Sequence, residues 1–324
     1  MSILFAGAED IDFNFVSGPE TGFTHSGYIQ TAYSRTSLRA VNRLEAKKPF
    51  SATEAWLHFV TVIGTRGGAT TYAAWGFWSP ELNNAAVTVH TDSNAREAKI
   101  AVNDGTGTYL DSAMFALPSV SEVSHWDLHV RIDGLSVLVE LYNKEVLVRR
   151  ETFALLQTYT LNNLRLSPGS AYVAWGWHYS QVIVATEPTL GWKLKTLAPT
   201  ADGDLTEFTG TYADVDEVTL SNDDRLTTDV SAQSSFTAAS WNVPAGFDIA
   251  AIAVSSFASS DLTESKLSNF LRLNGQNFPS MAVDLTPGWL VYSDVWEQNP
   301  ETVAAWRPTD INGTALQFGV GVTV

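Results

Sequence analysis

The sequence predicts an all-β protein built from two β-sandwich domains, the second smaller than the first. Three observations carry this. Apolar residues recur with a period of two rather than 3.6 in one stretch after another. Turn residues punctuate those stretches at short, regular intervals. A length of 324 residues exceeds one ordinary core and suits two domains.

In chain order, "EAWLHFVTVIG", "AAVTVHTD", "AKIAVND", "HWDLHVRID", "SVLVELY", "EVLVRRETF", "LNNLRLSP" and "WHYSQVIVAT" alternate or run apolar, rich in β-branched and aromatic residues. Between them lie Gly67-Gly68, Asn103-Asp104-Gly105, Asp133-Gly134, Asn143-Lys144 and Pro168-Gly169. Asp133-Gly134 predicts a hairpin with a type I′ turn, which needs positive φ at both central residues. Many short strands so spaced indicate a sandwich or jelly roll rather than βαβ units. The first domain is expected over 1–190.

A Pro-containing break follows in "EPTLGWKLKTLAPTADGD", giving a linker over 191–204 and a second domain over 205–324. That domain restarts in the same style with "DEVTLS", "SSFTAASW", "FDIAAIAVSSF", "KLSNFLRL", "MAVDL" and "WLVYSDVW". Asn274-Gly275 marks another hairpin. Residues 261–273 read as strand rather than helix, because Leu267, Asn269, Leu271 and Leu273 alternate with Ser268, Phe270 and Arg272. The terminal "FGVGVTV" is an apolar edge-strand candidate.

Composition excludes several classes. The chain has no cysteine, hence no disulfide framework, thiolate metal site or cysteine nucleophile. It has no apolar run of membrane-spanning length, and its first residues lack the pattern of a secretory signal. Net charge is −16, and the excess is uneven: fifteen basic face eighteen acidic residues over 1–199, four face seventeen over 200–324. Such a surface repels phosphate backbones and argues against nucleic acid as a partner.

Two aromatic-dense stretches nearly repeat, "YAAWGFWSP" from Tyr72 and "YVAWGWHYS" from Tyr172. In a strand, Trp75 and Phe77 share one face while Gly76 and Trp78 share the other. Val173, Trp175 and Trp177 likewise oppose Gly176 and His178. Small central residues suit close approach by a neighbouring strand, so core strands of one sandwich are one reading. A glycan-stacking platform of Trp75, Trp78, Trp175 and Trp177 is the other.

Candidates for chemistry are sparse. His125, Asp127 and His129 share a strand face, but positions four apart lie about 13 Å apart, too far for both rings to bind one ion. They read as polar surface positions. Carboxylates near one another in sequence, Glu9, Asp10 and Asp12, then Asp214, Asp216 and Glu217, lie off the central strands of the first domain. No nucleophile elbow, phosphate loop or zinc-protease helix is present. "TADGD" and "SNDD" cluster oxygens in acidic turns without the spacing of an EF-hand loop. No catalytic residue, cofactor or metal is therefore assigned, and the expectation is a non-enzyme.

The stretch "SHWDLHVRIDGLSVLVELYNKEVLVRRETF", followed by "LNNLRLSP" and "YVAWGWHYSQVIVAT", resembles the second half of a laminin-G-like, concanavalin-A-like jelly roll. "YSQVIVATEPTLGWKLKTLAPTADGDLTEFTG", "DVDEV" and "WRPTDINGTALQFGVGVTV" resemble virion proteins of tailed bacteriophages. The opening "SILFAGAEDIDF" is similar to the openings of such proteins. The resemblance implies a structural virion component, such as a capsid decoration, head or tail fibre or tail-associated protein. It implies partners among other virion proteins and copies of itself, a homo-oligomer such as a trimer, in a particle assembled in the host cytoplasm. The alternative it leaves open is a carbohydrate-binding adhesin of the tail that meets host surface glycans.

Overall fold

The structure, a computed structural model, describes residues 2–7, 12–15, 38–39, 44–63, 74–91, 97–117, 123–166, 177–217, 223–262, 264–311 and 316–324. The chain divides into two compact units, Met1–Thr196 and Leu197–Val324. Residues 191–196 belong to the first unit, and a strand of the second, Pro199–Thr206, begins within 191–204.

The first unit is a β-sandwich, as expected, with two antiparallel sheets face to face. One sheet runs in the order Ile3–Gly7, Trp177–Ala185, Glu54–Ile63, Val123–Asp133, Ser136–Asn143, Val146–Ala154. The other runs Phe115–Ala116, Glu97–Asn103, Asn84–Thr91, Ala74–Ser79, Asn163–Leu166, Leu44–Ala46, Phe13–Phe15. Val123–Asp133, Ser136–Asn143 and Val146–Ala154 are consecutive, as are Ala74–Ser79, Asn84–Thr91 and Glu97–Asn103; the other neighbours come from distant parts of the sequence, where the alternating pattern sets the register.

Between the sheets lies one core. Leu57, Phe59, Trp126, Leu128 and Val130 from the first sheet meet Trp75, Phe77, Val87, Val89 and Ile100 from the second. Trp75 stands at its centre, 4.9 Å edge-on from Phe59 and 5.5 Å from Trp126 between ring centroids. Such aromatic contacts add specific geometry to a large hydrophobic burial. Ala74–Ser79 of the first aromatic repeat belongs to the second sheet, whereas the described end of the second repeat, from Trp177, lies in a strand of the first.

Turns depart from expectation in an instructive way. The first hairpin turns on Gly134 and Leu135, and only Gly134 has positive φ, the II′ pattern rather than I′. Lys144 and Glu145, between the paired residues Asn143 and Val146, both have positive φ (48° and 66°), the I′ pattern. Asn274 and Gly275 do the same with the residues that turn prefers.

The second unit is a smaller β-sandwich. A sheet in the order Pro199–Thr206, Ala232–Ala238, Leu316–Thr323, Lys266–Leu273, Gln276–Pro279 accompanies a two-stranded sheet of Ile252–Ala258 and Leu290–Trp296. Val254, Leu271, Leu273 and Trp306 form its core, and the Trp306 indole donates to the Trp296 carbonyl at 2.8 Å. The terminal strand Leu316–Thr323 is central, not an edge. It is paired on both sides because Gly319 and Gly321 admit close neighbours: a Cβ at residue 319 would lie 2.2 Å from the Ser234 carbonyl oxygen.

Candidate functional site

The strand Val123–Asp133 sends Trp126, Leu128 and Val130 into the core, and therefore sends His125, Asp127 and His129 to the opposite face. That face was expected at the surface. Instead Asp127 is 1 % and His129 5 % exposed. Register places His58 opposite Asp127 and Trp56 opposite His129 on Glu54–Ile63, with Tyr142 and Glu140 on the other neighbour.

Each buried polar group is met by partners from adjoining strands. Nδ1 of His58 lies 2.8 Å from Oδ1 of Asp127. Nδ1 of His129 lies 2.8 Å from Glu140 and its Nε2 2.9 Å from Glu54, while Trp56 stacks on its ring at 4.3 Å. Without such partners, burying these groups would cost several kcal/mol each, of order 1–3 per unsatisfied hydrogen bond.

A segment beyond the last strand of this sheet completes the enclosure. Thr189, fully buried, donates its hydroxyl to Oδ1 of Asp127 at 2.6 Å. Lys193 donates from Nζ to Nδ1 of His125 at 2.9 Å, and the Leu194 amide donates to Oε1 of Gln181 at 3.2 Å. Gln181 is buried at a bulge in Trp177–Ala185, where its φ of 52° turns it out of register.

Under this segment lies a pocket of about 310 Å³, near the small end of the range for ligand sites. Val123, His125 and Asp127 form its sheet wall, Lys144 and Glu145 the hairpin wall, and Gly191 and Lys193 the segment wall. Gly191, with φ of 76°, brings the segment against the hairpin: a Cβ there would lie 3.2 Å from Oε1 of Glu145.

Electrostatics follow from the enclosure. Burial, then the adjacent Lys193 ammonium, pushes the His125 imidazole down to about 4, so its Nδ1 accepts rather than donates. Burial also lowers Lys193, against the opposing pull of Glu145 and Asp127. Oδ1 of Asp127 accepts from two partners, whereas Oδ2 is buried without a hydrogen-bond partner among the described residues. The pocket thus offers a fixed acceptor, a second carboxylate and two ammonium groups within one small space.

Trp75 and Trp78 of the proposed stacking platform are not brought together. Trp75 is fully buried in the core and presents no ring to a ligand, which corrects its assignment. Trp78, on the opposite face of the strand, is partly buried, with the Arg165 guanidinium 3.0 Å over its ring. Trp177 begins a strand of the other sheet, opposite Ile63, and Trp175 lies outside the described residues. In the acidic turns, Asp202 accepts from the Tyr212 amide at 2.6 Å and Asp204 pairs with Arg272 at 3.1 Å.

Sequence reasoning singled out His125 and Asp127 but placed them at the surface, and it missed His58, Thr189, Lys193 and Glu145 as their companions. One signal was available: His58 stands among apolar neighbours in "EAWLHFVTVIG", on the face opposite Leu57 and Phe59.

No family model and no curated protein matches this sequence. Among solved structures, the carbohydrate-binding module CBM66 from Bacillus subtilis is 14% identical over 51% of this chain and 91% of its own, with a TM-score of 0.33. The exoplasmic/lumenal domain of VIP36, in its Ca2+/Man3GlcNAc-bound form, is 11% identical over 52% and 82%, with a TM-score of 0.35. Galectin LEC-6 from Caenorhabditis elegans is 9% identical over 55% and 99%, with a TM-score of 0.31. At this degree of likeness none of them bears on ligand or activity.

Proposed function

We propose that the first unit is a non-enzymatic carbohydrate-binding module whose site is the pocket beneath the segment that follows its last strand. The observation that carries this is Asp127 at a pocket wall: a buried carboxylate with one oxygen held by His58 and Thr189 and the other without a partner among the described residues. A sugar hydroxyl both donates and accepts, so it matches a wall where a fixed acceptor adjoins ammonium donors. Binding rather than turnover is supported by the hydrogen bonds that hold Asp127 and His125 to fixed partners.

A glycan array probed with the full chain tests the reading. Retention of glycans by wild type, and their loss in Asp127→Ala with the fold intact by circular dichroism, is the expected result. A blank array, or release of reducing ends from a bound polysaccharide, would overturn it.

The second reading, a structural component of a tailed-phage virion with other virion proteins and copies of itself as partners, rests on the sequence resemblance. The strongly acidic second half is compatible with an outer surface that resists particle aggregation. Cryo-electron microscopy of purified particles is its test, and absence of the chain from them would sink it.

A further inference from the structure

The pocket carries a feature that a site for neutral sugars does not require. Lys144 and Glu145 occupy both central positions of a type I′ turn, each with positive φ. Asparagine and glycine adopt that backbone at less cost, and the same chain uses them at Asn274 and Gly275. Here two side chains that line the pocket stand in the strained positions instead. Gly191 spares the space that keeps Glu145 at this wall.

Charge narrows the ligand. Lys144 from the hairpin and Lys193 from the segment both line the cavity, in a chain whose net charge is −16. A half-enclosed ammonium is stabilised by an incoming anion. Yet Oδ2 of Asp127, buried and unpartnered among the described residues, repels a bare anion and accepts only from an N–H or O–H group. One ligand satisfies both demands if it carries a carboxylate and a hydroxyl close together. Sulfate and chloride carry no such donor.

Resting on the carbohydrate-binding reading above, we infer that this pocket selects an acidic sugar. The carboxylate of a uronic acid residue is taken by Lys193 and Lys144, and a ring hydroxyl donates to Oδ2 of Asp127. His125 holds Lys193 in place through its Nδ1. Glu145 accepts a second hydroxyl from the hairpin side.

The test compares molecules that differ only at C6. Isothermal titration of the full chain with methyl glucuronide and methyl galacturonide, each against its glucoside or galactoside, is the direct measurement. The uronide is expected to bind at least about tenfold tighter at low salt, as a charge-assisted contact implies, with the preference shrinking as salt rises. Lys193→Met should bring the uronide-to-neutral ratio close to one, and Lys193→Arg should retain most of it. Thermal unfolding of each variant checks that the fold survives.

Equal affinity for the paired glycosides, or a preference for the neutral one, overturns the inference while leaving the glycan reading in place. Competition by sulfate as effective as by uronide also overturns it, since the site would then take anions without a hydroxyl. No binding of any of these sugars, joined to a blank glycan array, removes both this inference and the reading beneath it.

Discussion

Nδ1 of His58 sits 2.8 Å from Oδ1 of Asp127, and both side chains are buried on the face of the sheet turned away from the hydrophobic core. Since the carboxylate is the acceptor, the hydrogen lies on Nδ1, and Nε2 is left without a partner among the described residues. Thr189 donates to the same oxygen. One carboxylate oxygen therefore ties two central strands to the segment that covers them.

Asp127→Ala should remove the acceptor of two buried donors at once and destabilise the first unit by about 3 kcal/mol or more. Asp127→Asn keeps an acceptor oxygen and should cost about 1 kcal/mol. Urea unfolding of the two variants separates them. In a double-mutant cycle with His58→Ala, a coupling energy within experimental error of zero would mean that the contact carries no stability.

Replacing Lys144 by Asn and Glu145 by Gly should stabilise the protein by about 1 kcal/mol, because the I′ turn then holds the residues that adopt it at least cost. The same double variant should lose ligand affinity, since both side chains line the pocket. A thermal melt shows the first effect and titration the second. A fall in melting temperature would contradict the assigned strain.

Gly76 lies in the first aromatic repeat with φ of 154°, and a Cβ there would lie 2.1 Å from the Val87 carbonyl oxygen of the paired strand. Gly76→Ala should therefore destabilise the unit by at least about 2 kcal/mol and lower its melting temperature by about 5 °C. A variant that melts with wild type would show that the strands relax apart without penalty.

The pH dependence of stability follows from His125. Its ring is pushed down to about 4 in the folded protein and titrates near 6.5 when unfolded. Between those values the unfolded chain binds more protons, so stability is complete above the unfolded value and falls as pH drops toward 4. His58, Asp127, Lys144 and Lys193 surround the ring, and its partial exposure limits the effect to on the order of 1–2 kcal/mol. Unfolding free energies at pH 7, 5.5 and 4.5, compared with those of His125→Gln, isolate this contribution. A difference that stays constant with pH would exclude it.

Period-two patterning determined the all-β class, the two sandwiches and most strands, because a strand with one buried face writes that face into alternate residues. Lys266–Leu273 was legible in this way, and so was the core face carrying Trp126 and Leu128. The pattern is local, however, and says nothing about which strands pair. Only tertiary structure put Ala74–Ser79 and Trp177–Ala185 on opposite sheets, made Leu316–Thr323 a central strand, and set His58 beside Asp127 across 69 residues. Likewise, polar residues on an outward strand face look solvent-exposed until something covers them. Here residues 189–194 do so through Thr189, Lys193 and Leu194, turning a polar strand face into a buried network with a pocket at its edge.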